Sequence, residues 1–143
     1  MPSITGVSHI DLTVSDLDRS EAWYSDLFGL TRILDGRNDE HHFASRYLLH
    51  PESLLIIGLV RHDSAAETAH FDERRIGLDH LSLNVASTGE LRAWADRLDE
   101  AGVDHSPIAD GEMWDVLVFR DPDGIQLELF ATKPAAAALL TTA

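Results

Sequence analysis

The sequence predicts an α+β fold built from two tandem βαβββ modules. Three features carry that prediction: an internal repeat, period-two alternation within the repeated segments, and a capped amphipathic helix after each. The repeat organises the rest. Val7-Ser8-His9-Ile10-Asp11-Leu12-Thr13-Val14 lies over Leu78-Asp79-His80-Leu81-Ser82-Leu83-Asn84-Val85 at a shift of 71 residues, with the apolar positions matched. The same shift carries Trp23 onto Trp94 and Leu27 onto Leu98, and Gly29 and Gly102 follow after a small insertion.

Each repeated segment reads as a strand with one face on the core, because apolar and polar residues alternate along it. Ile10, Leu12 and Val14 share one face, and His9, Asp11 and Thr13 the other. In the second copy Leu81, Leu83 and Val85 face inward, while His80, Ser82 and Asn84 share the opposite face. The two histidines therefore occupy equivalent places. A helix follows each strand: Ser15 or Asp16 can cap the first, and Ser87-Thr88-Gly89-Glu90 has capping-box spacing for the second. Gly29 and Gly102 stand where a helix C-terminus favours a residue tolerant of positive φ. Ser20, Trp23, Tyr24 and Leu27 form one packing stripe, and Leu91, Trp94, Leu98 and Ala101 the other.

Three further strands are expected in each half, over 31–35, 43–49 and 54–60, then over 103–107, 114–120 and 125–131. The last two are joined by Asp121-Pro122-Asp123-Gly124, in which Pro presets φ and Gly closes a hairpin turn. On the final strand Glu128 alternates with the aliphatic row Ile125, Leu127 and Leu129, so a carboxylate is presented from a rigid element. The expected organisation is a single domain over 1–133, with module one at 4–62, a polar linker at 63–76 and module two at 77–133. A flexible Ala-rich tail is expected over 134–143.

Composition narrows the function. At 143 residues and 44% hydrophobic content the chain has the size and character of one soluble domain. No apolar run approaches the roughly 20 residues of a membrane helix. Met1 to Gly6 lacks the basic start and apolar stretch of a signal peptide, so the expected location is cytoplasmic. The absence of cysteine removes disulfides, thiolate nucleophiles and Cys-based metal sites, so any metal must be held by His and carboxylate. A formal net charge of −14 disfavours nucleic acid and anionic membrane as partners.

A lone strand histidine is more often structural than a ligand, but the duplication changes that weighting for His9 and His80. Two βαβββ units packed side by side would form a concave, partly open sheet onto which both histidines and Glu128 could converge. Two imidazoles and one carboxylate suit Fe(II), and equally Mn, Zn or Ni, because these ions accept N and O donors together. The expected metal ligands are thus His9, His80 and Glu128.

These residues resemble the vicinal oxygen chelate superfamily, which includes glyoxalase I, extradiol dioxygenases, fosfomycin-resistance enzymes, methylmalonyl-CoA epimerase and bleomycin-resistance proteins. The resemblance runs from residue 4 to about 132. It is most specific at Gly6-Val7-Ser8-His9-Ile10, at Gly77-Leu78-Asp79-His80-Leu81, and over Phe119-Arg120-Asp121-Pro122-Asp123-Gly124-Ile125-Gln126-Leu127-Glu128-Leu129. It implies up to four ligand positions, of which His9, His80 and Glu128 match the first, third and fourth. The strand Leu54-Leu55-Ile56-Ile57-Gly58-Leu59-Val60 has no ligating side chain at the second.

An open second position is similar to the two-His-one-carboxylate iron triad of extradiol dioxygenases. The resemblance therefore implies a divalent-metal enzyme, first an Fe(II) extradiol-type dioxygenase acting on a small substrate chelated through vicinal oxygens. A glyoxalase-like metal-dependent lyase or isomerase is the alternative, and a non-catalytic drug- or metabolite-binding protein of bleomycin-resistance type a third. A homodimer is expected, since edge strands and helix faces seek partners. His62, just past the fourth strand, is a candidate catalytic acid or base, with an exposed loop histidine as the plainer reading. His41, His42 and His50 read as surface. His105 and Trp114 are candidates for a cavity mouth, although core burial accounts equally for Trp114, and Asp121 and Asp123 read as turn residues.

Overall fold

Leu12 and Val14 are almost fully buried while Asp11 and Thr13 are exposed, so the alternation read in the first strand is the alternation the chain adopts. A computed structural model describes residues 2–64 and 70–136. The chain divides between residues 69 and 70 into two compact units, a boundary inside the segment expected to be a linker.

The first unit holds β1 (Ile10–Thr13), α1 (Leu17–Phe28), β2 (Thr31–Asn38), β3 (Phe43–Leu49) and β4 (Ile56–His62). Its four-stranded sheet has the order β1-β4-β3-β2, with β1 and β4 parallel and the other pairs antiparallel. The second unit repeats the plan with β5 (Leu81–Val85), α2 (Thr88–Glu100), β6 (Ala109–Asp110), β7 (Trp114–Arg120) and β8 (Gln126–Thr132), in the order β5-β8-β7-β6. Both units are βαβββ, as the repeat predicted.

The helices begin and end where their capping residues stand. The Asp16 carboxylate accepts from the Arg19 amide at 3.0 Å and the Ser87 hydroxyl from the Glu90 amide at 3.3 Å, satisfying amides that the first turn leaves without partners. Gly29 closes α1 at φ +71°, and Gly102 follows α2 at φ +67°, conformations that cost a residue with Cβ. Ser20, Tyr24 and Leu27 are buried on α1 and Leu91 and Leu98 on α2, whereas Ala101, expected in the second stripe, is exposed. The helices pack on the inner sheet faces, where Leu48, Ile57 and Leu59 are buried in one unit and Leu117, Leu127 and Leu129 in the other.

Several boundaries move for local reasons. The strand expected over 54–60 starts at Ile56, because Leu54 sits in a left-handed turn at φ +59° and donates its amide to the His50 carbonyl. The strand expected over 103–107 does not form: His105 makes a single bridge to Phe119, and β6 is two residues further along. Pro107 has no amide to donate, and the Ser106 hydroxyl takes the Val118 amide at 3.0 Å in place of a ladder carbonyl. β2 extends three residues beyond expectation, through a register shift between Arg32 and Leu34, and is exposed along most of its length.

Within the expected linker, residues 65–69 lie outside the described residues, while Phe71 and Glu73 hold to the β7–β8 turn. The Phe71 amide donates to the Asp123 carbonyl at 3.0 Å, and Glu73 pairs with Arg120 at 3.0 Å. Within the expected tail, residues 134–136 form a helical turn with Ala136 buried, and residues 137–143 lie outside the described residues. Among the described residues no helix is long and apolar enough to cross a membrane.

On the core side of the second unit, the buried carboxylate of Asp115 is met by Lys133 at 2.7 Å and by the Thr88 hydroxyl at 2.5 Å. The Lys133 ammonium, and after it the Thr88 hydroxyl, hold this carboxyl below the usual carboxylate range. Lys133 also reaches Asp110, tying β6, α2 and the end of β8 together.

Candidate metal centre

Parallel pairing of the first and last strand of a unit decides which side chains meet on its outer face. In the second unit Ser82 is the register partner of Glu128. The Ser82 hydroxyl donates to Glu128 Oε1 at 2.8 Å and holds the carboxylate over the β5–β8 ladder. His80 stands one residue ahead of β5, at the mouth of that ladder, with Nε2 3.8 Å from Glu128 Oε1. Its other ring nitrogen, Nδ1, lies 2.6 Å from the Asp79 carboxylate, a contact satisfied when Nδ1 carries the proton. That tautomer leaves the Nε2 lone pair directed to the Glu128 side, with a carboxylate behind the ring as metal-binding histidines commonly have.

The first unit repeats half of this arrangement and alters the other half. His9 likewise precedes its strand by one residue, and its Nδ1 lies 2.7 Å from the Ser8 hydroxyl, leaving Nε2 on the opposite side. The register partner of Asp11 is Gly58, so Gly58 occupies in β4 the place that Glu128 occupies in β8. The space beside Gly58 is filled. A Cβ built there would lie 2.0 Å from Asp11 Oδ1 and 2.9 Å from Tyr47 Cε1. The Asp11 carboxylate reaches across the strand pair into the slot that glycine leaves, and its Oδ1 stands 3.8 Å from His9 Nε2. Tyr47 closes the other side, its ring edge-on to His9 with centroids 5.8 Å apart.

In each unit, therefore, a histidine Nε2 and a carboxylate of the outer sheet face stand at the same 3.8 Å separation. Two donors each about 2.0–2.2 Å from one ion stand less than about 4.4 Å apart, and both pairs meet that bound. The donors are imidazole nitrogen and carboxylate oxygen, a set suited to borderline divalent ions. The structure brings His80 and Glu128 together and places His9 with Asp11. Among the described residues no group of three or more His, Asp or Glu side chains gathers at one point.

Of the remaining candidates, Trp114 shares a sheet face with Glu128 and the histidines stand apart from the pair in their own unit. His62 is the last residue of β4, four positions and roughly 13 Å along the strand from Gly58, and packs against the Phe43 ring at 5.6 Å. His105 is largely buried, bonded to the Ser106 carbonyl and within 3.4 Å of Asp99, which makes it a tie to the end of α2 instead of a mouth residue. Trp114 is 46% exposed, so core burial does not explain it; it lies against Phe130 on the Glu128 face of the sheet, with ring centroids 5.8 Å apart. His41 and His42 sit in the β2–β3 turn, and His50 accepts from the Ser53 amide in the turn before β4. Asp121 Oδ1 takes the amides of Asp123 and Ile125 at 2.9 and 2.8 Å and so shapes the β7–β8 turn.

Ser82, Asp79 and Asp11 were not singled out from the sequence. Alternation alone places Ser82 with His80 and Asp11 with His9, but the pairing of Asp11 with Gly58 depends on a strand register that local pattern does not fix.

Comparison with known proteins agrees with this architecture. A solved glyoxylase/bleomycin resistance protein/dioxygenase domain from Frankia sp. EAN1pec is 38% identical, with a TM-score of 0.83 over 92% of this chain and 100% of that one. The fosfomycin resistance protein FosX from Listeria monocytogenes, solved with Mn(II) and sulfate ion, shares the fold at a TM-score of 0.68 and 23% identity, over 95% of this chain and 99% of that one. A Bacillus subtilis (strain 168) protein named "Putative ring-cleaving dioxygenase MhqA" is 24% identical over 133 residues, 90% of this chain. The chain spans 40% of that relative's length. The family model for the Glyoxalase/Bleomycin resistance protein/Dioxygenase superfamily matches residues 6–129. On a match of that extent, over two βαβββ units, the chain belongs to this superfamily.

Proposed function

We propose that the chain is a divalent-metal-dependent enzyme acting on a small substrate held through two adjacent oxygens, with His9, His80 and Glu128 as metal ligands. The observation that carries this reading is the His80–Glu128 pair, in which Asp79 and Ser82 orient both donors and leave His80 Nε2 free. When bound, the ion supplies Lewis acidity that lowers the pKa of a coordinated hydroxyl or enol. The chain itself contributes fixed donors and an outer sheet face on which Trp114 and Phe130 offer apolar surface beside Glu128.

Two reaction types fit these donors. An Fe(II) extradiol-type dioxygenase needs substrate oxygens and O2 on the same ion, so it follows if only three protein donors are used; the name of the Bacillus relative favours it. A lyase or isomerase of glyoxalase type needs no O2 position, and the Asp11 carboxylate beside Gly58 favours that reading. His62 is assigned no proton-transfer role, given its distance along β4. A homodimer is part of the proposal, because β2 forms a sheet edge with Ile33 51% and Leu34 59% exposed.

The test is metal analysis of protein isolated without added metal, followed by turnover assays. About one divalent ion per chain is expected, and His9→Ala, His80→Ala and Glu128→Ala should each largely abolish it. Full occupancy in any variant removes that residue from the site. An oxygen-electrode and product screen over catechols and other vicinal-oxygen substrates, with Fe(II) and Zn(II) forms in parallel, separates the reactions. O2 consumption only with Fe(II) marks the dioxygenase, anaerobic turnover with either ion marks the lyase or isomerase, and ligand affinity without turnover marks a binding protein.

A further inference from the structure

We infer that Asp11 is a metal ligand of this chain, supplying from β1 the carboxylate that Gly58 cannot supply from β4. The inference rests on the metal-binding reading above and extends its donor set. Three observations within the first unit support it. Asp11 and Gly58 are register partners, as Ser82 and Glu128 are in the second unit, so the two positions face the same space across a parallel pair. The Asp11 carboxylate occupies that space, with Oδ1 2.0 Å from where a residue-58 Cβ would lie. And its separation from His9 Nε2, 3.8 Å, equals that between His80 and Glu128.

A side chain whose purpose was solvation would not need this slot. The Asp11 side chain is 41% exposed, and its carboxylate lies over the strand pair toward β4, in a place only a glycine permits. A donor at residue 58 and a donor at Asp11 exclude each other sterically: residue 58 must lack a side chain for the Asp11 carboxylate to lie where it does. The first unit then presents an imidazole and a carboxylate 3.8 Å apart, both able to reach one divalent ion.

The experiment is calorimetric titration of the metal-free full chain with Mn(II), with the Mn(II) paramagnetic resonance spectrum as a second readout. Asp11→Asn keeps the size of the side chain and removes its charge; at least about a tenfold loss of affinity and an altered spectrum are expected. Asp11→Ala should lose affinity further, and Gly58→Glu, with Asp11→Ala and Tyr47→Ala clearing the slot, should restore it by returning a carboxylate to this face. Affinity of Asp11→Asn within about twofold of the unsubstituted chain, with His80→Ala abolishing binding, overturns the Asp11 assignment and leaves the metal reading standing. Loss in Asp11→Ala that Gly58→Glu does not recover, with circular dichroism unchanged, assigns Asp11 a structural role and overturns the inference. No Mn(II) binding by the unsubstituted chain sinks both.

Discussion

If His80 binds the ion as proposed, the Asp79 carboxylate behind its ring should strengthen the bond without touching the metal, and Asp79→Asn measures that influence. Its carboxylate lies 2.6 Å from His80 Nδ1, close enough to fix the tautomer and orient the Nε2 lone pair. Removing such a partner typically costs about 10- to 100-fold in metal affinity, or about 1.4 to 2.7 kcal/mol. Asp79 is 67% exposed, so water competes for the ring nitrogen and the lower end applies: about a tenfold loss is expected. The amide of Asn can still accept from Nδ1, so the ring should remain in place while the negative charge behind it is lost. Competition of Mn(II) between the protein and a chromophoric chelator gives the affinity, and Ser8→Ala beside His9 provides a neutral comparison expected to cost less. An unchanged affinity in Asp79→Asn, or an equal loss in Ser8→Ala, would refute the reasoning that the carboxylate tunes the ligand.

The buried Asp115–Lys133 pair predicts an acid-sensitive fold. Because Lys133 and Thr88 lower the folded-state pKa of Asp115, its contribution is fully present above the ordinary carboxylate value of about 3.9 and is lost as pH falls through the lower folded value. Asp115→Asn should therefore flatten the decline in urea midpoint below about pH 4 relative to the unsubstituted chain, and parallel profiles would show that the pair does not govern it. Assembly is tested by light scattering: a dimer mass is expected, with Leu34→Lys on the β2 edge shifting it toward monomer, and a monomer mass at working concentration removes the dimer from the proposal.

Repetition made the fold legible. A matched pair of alternating segments fixed the two first strands, their caps fixed the helices, and the Asp121–Gly124 turn fixed the last hairpin. Where strand boundaries shifted, nonlocal contacts or backbone chemistry intervened. Leu54 looks like strand by its side chain but is held in a left-handed turn, and at Ser106-Pro107 the Val118 amide turns to the Ser106 hydroxyl instead of a backbone carbonyl. At the site, histidines and Glu128 stood out because of residue type and repeat position. Asp79 and Ser82 did not: the 2.6 Å Asp79–His80 contact depends on the rotamers of two neighbouring residues, and the 2.8 Å Ser82–Glu128 contact on the β5–β8 pairing. Asp11 was read as one more polar residue on an exposed face, and Gly58 as a missing ligand.

The crossing of the Asp11 carboxylate into the Gly58 slot bears on how kinship among such chains is judged. Homologues are compared column by column, and set over Glu128 of its own repeat, Gly58 reads as a loss. In space a carboxylate still reaches the Gly58 slot, delivered by Asp11 from the neighbouring strand. Two backbones only a strand's width apart can exchange responsibility for one functional group through a pair of compensating substitutions, with neither the fold nor the local charge disturbed. A lineage passing through such an exchange keeps its chemistry while its signature moves, and the change is visible only to a comparison that follows atoms instead of alignment positions.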